Sequence, residues 1–337
     1  MKSLIILLLF LFAVANCDGQ TFSVLQSSNA KDDSSYYDIK KIDAHNFWIG
    51  GEKGILMALN EQLQFTAVAY PNQGVNILCV EKFSDNHVVL CADKGIIYHY
   101  YKNENRWQVQ RIKGFANKVF YKFVTVSDKV AYMCGGNSKI AASHKAIPNG
   151  FILRTIDAGK TWQMVYKAVG SMIWDLDKVD SNIVAVKYNF RGTRLLTFNE
   201  NSGQLIHHSG RYKMLAHEYN PTLKILSGAD DFHIYQHGKM QSVEKNDFSI
   251  SASALIWDVA KIGNKIVGAS CSGRLVIFDN LATQQTLEVQ SPSHFNLYGI
   301  TAINQHSALI IGSNKTILKL DFENQNNKLN ASTSNNY

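Results

Sequence analysis

Seven times along this chain a short pattern returns: an aromatic or apolar residue, a polar residue and an aliphatic strand, then a tight turn, a second aliphatic strand, another turn and a third aliphatic strand. The leading triplets are Tyr37-Asp38-Ile39, Val75-Asn76-Ile77, Tyr121-Lys122-Phe123, Trp174-Asp175-Leu176, Tyr212-Lys213-Met214, Trp257-Asp258-Val259 and Tyr298-Gly299-Ile300. Their spacing, 38 to 53 residues, is the length of one four-stranded propeller blade. Gly54, Gly95, Gly150, Gly192 and Gly273 mark the turn before the third strand in five copies. Fourth strands are visible in six copies and missing from the seventh, while Thr21–Gln26 supplies a spare strand ahead of the first. The expected fold is therefore all-β: a seven-bladed β-propeller of four-stranded blades, its ring closed by the N-terminal strand joining the last blade. Such a seal removes the open edge that a linear array would expose.

Between the third and fourth strands of the third copy stands Thr155-Ile156-Asp157-Ala158-Gly159-Lys160-Thr161-Trp162. Asp157 can accept backbone N–H groups further along the turn, and Gly159 can supply a positive φ. The octet resembles the Asp-box, the hairpin of sialidases, sortilin-type receptors and photosystem II assembly-factor propellers, where it is structural. That resemblance gives Thr155, Asp157, Gly159, Thr161 and Trp162 a structural role and supports a BNR-type or WD-repeat-like propeller. Sialidases carry several boxes, six blades and an arginine triad, whereas this chain has one box and only seven arginines. Sortilin-type propellers have ten blades followed by a cysteine-rich module. The seven-bladed assembly-factor propellers match better in size and in having an export signal.

Residues 1–17 read as a secretory signal peptide: Lys2 is followed by an apolar run too short to span a bilayer, with small residues at the cleavage positions. An alternative is a lipoprotein signal with Cys17 as the lipidated residue. Residues 18–323 form the propeller, and 324–337 are a polar tail read as disordered. No later stretch is long and apolar enough for a transmembrane segment. The formal charge of +7 is spread thinly, with no run of five basic residues, which argues against a nucleic-acid partner. The expected location is the secretory lumen or the extracellular space, as a monomer. Sequons at Asn314 and Asn330 fit a glycoprotein. Cys79 and Cys91 flank one turn symmetrically, so a cross-strand disulfide is possible there, while Cys134 and Cys271 read as buried thiols in second strands.

Residues that open the first strands lie beside the central channel. They give an aromatic ring of Tyr37, Tyr121, Trp174, Tyr212, Trp257 and Tyr298, and a polar ring of Asp38, Asn76, Lys122, Asp175, Lys213, Asp258 and Gly299. The aromatics read either as packing between blades or as stacking surfaces, and the acids either as cross-blade hydrogen-bond acceptors or as ligand contacts. The longest insertion, 137–149 in the third copy, carries Lys139, His144 and Lys145 and opens on the same face. His144 has no second ligand at metal spacing, and His207-His208 point to opposite faces of one strand. With no Walker motif, metalloprotease His pair, zinc-type cysteine spacing or Gly-x-Ser-x-Gly, no cofactor, metal or catalytic residue is expected. Two readings stay open. One is a secreted, non-enzymatic platform that binds a protein or a glycan through the channel face and the third-blade loop. The other is a glycan-active hydrolase or lyase that uses acids at the channel rim.

Overall fold

The second strand of each repeat shows why the chain folds as it does. His87–Ala92 and Ser307–Gly312 are buried at every position. A strand covered on both faces reads as a continuous apolar run, as Val88-Val89-Leu90-Cys91 and Ala308-Leu309-Ile310-Ile311 do. Outer strands such as Arg106–Arg111 are covered on one face at most and alternate instead. The structure is a computed structural model. It describes residues 20–27, 34–137, 149–189, 192–208, 216–220, 225–228, 232–236, 239–242, 256–280 and 285–322.

Among the described residues the strands form seven antiparallel sheets of four. Their innermost strands are Tyr36–Lys41, Ile77–Ser84, Lys118–Thr125, Met172–Val179, Ala216–Asn220, Ile256–Ile262 and Leu297–Asn304. Each innermost strand lies against that of the next sheet, and the last returns to the first. The fold is thus an all-β propeller of four-stranded antiparallel blades. In the last sheet the outermost strand is Gln20–Gln26, antiparallel to Ile317–Phe322. Phe22 is fully buried there, packed with Ile310, Leu318 and Leu320. The hydrophobic core is divided into layers between neighbouring blades: Trp48, Leu56, Val80 and Leu90 bridge the first and second, while Phe83, Phe120, Phe123 and Leu153 bridge the second and third.

The turns before the third strands share one backbone geometry. Lys53-Gly54, Lys94-Gly95 and Ser272-Gly273 all adopt consecutive positive φ values, and Asn314-Lys315 does the same without glycine. Gly150 departs from the expectation. It lies inside the strand Asn149–Thr155, where a Cβ would come within 2.6 Å of the Ile173 backbone nitrogen. Close approach of the next blade, and not turn geometry, requires glycine there.

Two register expectations are corrected. In the second sheet the innermost strand begins at Ile77, so Val75 and Asn76 precede it. Asn76 is a cap: its side chain accepts the Lys53 N–H at 3.0 Å, and its own N–H donates to Asp93 at 3.2 Å. In the fifth sheet the innermost strand is Ala216–Asn220, and Tyr212-Lys213 lie outside the described residues. Cys79 and Cys91 stand directly opposite one another, as the symmetric spacing suggests, but both are buried free thiols, not a disulfide. Cys271 is also displaced from its expected place: it sits half-buried in a 3-10 turn at Cys271–Gly273, after the second strand. Residues 1–17, read as a signal peptide, the residues Lys139, His144 and Lys145, Asn330 and residues 324–337 all lie outside the described residues.

Candidate functional site at the channel mouth

All seven innermost strands break register at the same place. The shifts fall between Tyr36 and Asp38, Ile77 and Cys79, Phe120 and Lys122, Ile173 and Asp175, Ala216 and Glu218, Ile256 and Asp258, and Leu297 and Gly299. The extra residues are Tyr37, Leu78, Tyr121, Trp174, His217, Trp257 and Tyr298. A bulge suspends the period-two alternation of a strand, so the extra residue and the one after it can both be aimed at one side. That is the outcome here. One cavity of about 350 Å³ is lined by Tyr37, Asp38, Leu78, Tyr121, Lys122, Trp174, Asp175, Trp257, Asp258 and Tyr298.

Nine residues read from sequence as rim candidates therefore meet in one place. Leu78 was missed, because the second repeat carries Leu78-Cys79 where the others carry an aromatic and a polar residue. On the fifth strand His217-Glu218 hold the equivalent register position, not Tyr212-Lys213. The aromatic rings fall into two arcs. Tyr298 lies between Tyr37 and Trp257, with ring centroids 5.9 and 5.5 Å away, and Tyr121 packs on Trp174 at 4.9 Å.

The acids are held by the framework. Asp38 Oδ2 accepts the Val80 N–H of the next blade at 2.6 Å, and Asp258 Oδ2 accepts the Ile300 N–H of its next blade at 2.7 Å. Asp258 Oδ1 also accepts from Val259 N at 2.8 Å. The same rivet thus recurs at two blade junctions. Tyr37 donates its hydroxyl to Glu52 Oε1 at 2.6 Å. Burial, reinforced by that bond to Glu52, raises the Tyr37 hydroxyl well above the usual tyrosine range, and burial does the same to Tyr121.

Two residues deeper, the strands present a second layer of side chains to the channel. A smaller cavity of about 200 Å³ is lined there by Lys40, Glu81, Asp177 and Thr301 and shares Asp38, Lys122 and Asp258 with the mouth. Lys40 Nζ pairs with Glu81 Oε2 at 2.5 Å. Burial opposes the Lys40 charge, yet the Glu81 carboxylate and its hydrogen bond outweigh it and raise the ammonium above its ordinary value. Asp177 is pushed up to about 7, first by burial and then by the charge of Asp175, against the pull of Lys122 and Lys40. Sequence reading passed over this layer, although simple alternation from Asp38 to Lys40, from Cys79 to Glu81 and from Asp175 to Asp177 contains it.

The octet at Thr155–Trp162 joins the third and fourth strands of its sheet and does not line either cavity. Asp157 Oδ1 accepts from Thr155 Oγ1 at 2.8 Å and from Thr161 N at 2.9 Å, and its Oδ2 accepts from Thr161 Oγ1 at 2.6 Å. Desolvation opposes the Asp157 charge, but these bonds outweigh it and hold the carboxyl below its ordinary range. Ala158 and Gly159 both have positive φ. The turn is tied to the second blade: Gln110 Nε2 donates to Lys160 O at 2.9 Å, and Trp162 Nε1 donates to Gln110 Oε1 at 3.3 Å. That same Oε1 lies 3.0 Å from His99 Nε2, and His99 Nδ1 lies 3.0 Å from His87 Nε2. An amide oxygen only accepts, so His99 carries its proton on Nε2 and takes one from His87 on Nδ1. Both imidazoles are neutral in this chain of bonds. Asn314 sits in the positive-φ turn of the last sheet.

Among the described residues no cluster of His, Cys, Asp or Glu has the arrangement of a metal site, and no helix is long and apolar enough to cross a membrane. No protein-family model and no curated protein matches the chain. Solved structures do. A structure described as YCF48 bound to D1 peptide superposes with a TM-score of 0.64 at 16% identity, over 93% of this chain and 100% of that one. The WD40 β-propeller domain of Doa1 gives 0.63 at 11% identity, over 90% and 98%. A streptogramin B lyase gives 0.65 at 10% identity, over 90% and 98%. At such identities the likeness establishes the fold, and the fold it establishes is the β-propeller.

Proposed function

We propose that this chain is a secreted, non-enzymatic, seven-bladed propeller of the Asp-box kind that binds a segment of a protein partner over its channel mouth. The observation that carries the reading is the aromatic cavity of about 350 Å³ built by the bulged residues of six innermost strands. Its volume and its apolar walls with few polar groups suit a ligand site. Its best-defined acids, Asp38 and Asp258, are engaged by backbone N–H groups, which suits a fixed binding surface better than proton transfer. The bonded turn at Asp157 supports the Asp-box assignment, and a propeller of the same fold has been solved with a peptide bound. Export through residues 1–17 belongs to the same proposal, and N-terminal sequencing of protein recovered from the medium tests it. A glycan attached at Asn314, read by a mobility shift on glycosidase treatment, tests passage through the secretory route.

The test of the site is a peptide and glycan array on the purified mature chain beside the Trp174→Ala/Trp257→Ala variant. Loss of two central aromatic anchors weakens peptide binding by about 2 kcal/mol or more, roughly 30-fold, in a variant whose thermal unfolding stays cooperative. Undiminished binding to that folded variant refutes the mouth as the site.

A second reading is favoured by Asp177, whose carboxyl at about 7 has the protonation behaviour of a general acid. It makes the chain a glycan-active hydrolase or lyase with Asp175 and Asp177 as the working pair. Turnover of an array glycan, abolished in Asp177→Asn, supports it. Binding without turnover leaves the platform reading in place.

A further inference from the structure

We propose that the mouth selects a single organic cation, an ammonium or guanidinium head on a flexible stem such as a lysine or arginine side chain of the partner. This deepens the preceding reading and rests on the mouth being the binding site. Three observations converge on it.

The first is charge. Mouth and channel together are lined by the carboxyl groups of Asp38, Glu81, Asp175, Asp177 and Asp258 and by the ammoniums of Lys40 and Lys122, a formal balance of −3 with Asp177 ionised and −2 with it protonated. The whole chain carries +7. A concave site with low-dielectric walls focuses such a local excess, so the channel attracts cations on a protein that repels them elsewhere.

The second is the wall. Five aromatic residues in two arcs face this excess. An aromatic face carries a negative quadrupole, so it adds to carboxylate attraction for a cation and opposes an anion. Neutral sugars also stack on aromatic faces, but a net charge of this size gives them no advantage.

The third is shape. The two cavities share Asp38, Lys122 and Asp258, so they form one funnel that admits a narrow stem and a compact head. Asp38 and Asp258 are fixed by neighbouring backbone, so the attracting charges are in place before the ligand arrives. Lys53 and Lys94 stand exposed in the turns at the same end of the blades. They disfavour a uniformly basic partner and leave one cation flanked by acidic or neutral residues as the matching sequence.

The experiment uses the full mature chain and the capped peptide Gly-Glu-Lys-Glu-Gly against its norleucine counterpart. Tetramethylammonium and neopentyl alcohol form the free-ligand arm. Binding is read from the tryptophan indole N–H resonances and from calorimetry in two buffers of different ionisation heat. The lysine peptide is expected to bind at least tenfold more tightly than the norleucine peptide and to weaken with added salt. Because a cation beside Asp177 favours its ionised form, binding at pH 7 releases a proton, and Asp177→Asn suppresses that release. Trp257→Phe retains the preference, whereas a folded Trp257→Ala loses it. Tetramethylammonium binding without the lysine peptide assigns the cation to a free amine and not to a protein side chain. Equal binding of lysine and norleucine peptides at the indoles overturns the cation selectivity while the mouth stands as a site. Indoles unmoved by every probe, with array hits that survive Trp174→Ala/Trp257→Ala, overturn both.

Discussion

At Asp38 a carboxylate that faces the mouth also accepts the Val80 N–H of the next blade at 2.6 Å. Removing it leaves that donor without its acceptor at a blade junction where Val80 is buried. Asp38→Ala is therefore expected to lower unfolding stability by about 1–3 kcal/mol. Asp38→Asn, which keeps an acceptor oxygen, loses less. Urea denaturation of the two variants measures the difference, and equal stability of Asp38→Ala and the native chain would remove the rivet from the account. This residue was legible in the sequence because an acid follows an aromatic at the start of an aliphatic strand. Its counterparts Leu78-Cys79 and His217-Glu218 were not, since the pattern lies in the backbone bulge and the side chains that occupy it vary. Tyr121 and Trp174 could be named but not assigned between packing and pocket. Their rings touch each other and line the cavity at once, so the two readings were never exclusive.

On the level of a single element, the outer part of the second blade is joined to the Thr155–Trp162 turn through His87, His99 and Gln110. Burial, and then the neighbouring His99, lower His87 to about 4. Its ordinary value is about 6.5. The folded state thus binds fewer protons than the unfolded state between these values, and by linkage stability is complete above roughly 6.5 and falls as the pH drops toward 4. Aromatic neighbours Phe83 and Tyr101 stack on His87 and offer it no compensating negative charge. Urea midpoints measured between pH 7 and 4 are expected to fall for the native chain and to fall less for His87→Gln. Identical pH profiles would exclude His87 as the titrating group. The turn itself was legible as a bonded hairpin from its Asp, Gly, Thr and Trp. Its dependence on the second blade was not, because Gln110 and His99 are distant in sequence and carry no local pattern.

For the molecule as a whole, closure rests on one short strand. Gln20–Gln26 completes the last sheet, and Phe22 enters the core between the sixth and seventh blades. Phe22→Ala is expected to cost about 3–5 kcal/mol. The loss is read by chemical denaturation, and size-exclusion chromatography reports whether the freed edge recruits a second chain. A monomer of native stability would contradict the clasp. The missing fourth strand of the last repeat made this closure visible in the sequence. The seal also has a consequence in time. Gln20–Gln26 leaves the ribosome long before Ile317–Phe322, so it waits for its partner through the synthesis of all the strands between them. Throughout that interval it can seat in the last sheet of another copy as well as in its own, and crowding would then yield chains linked by exchanged first strands.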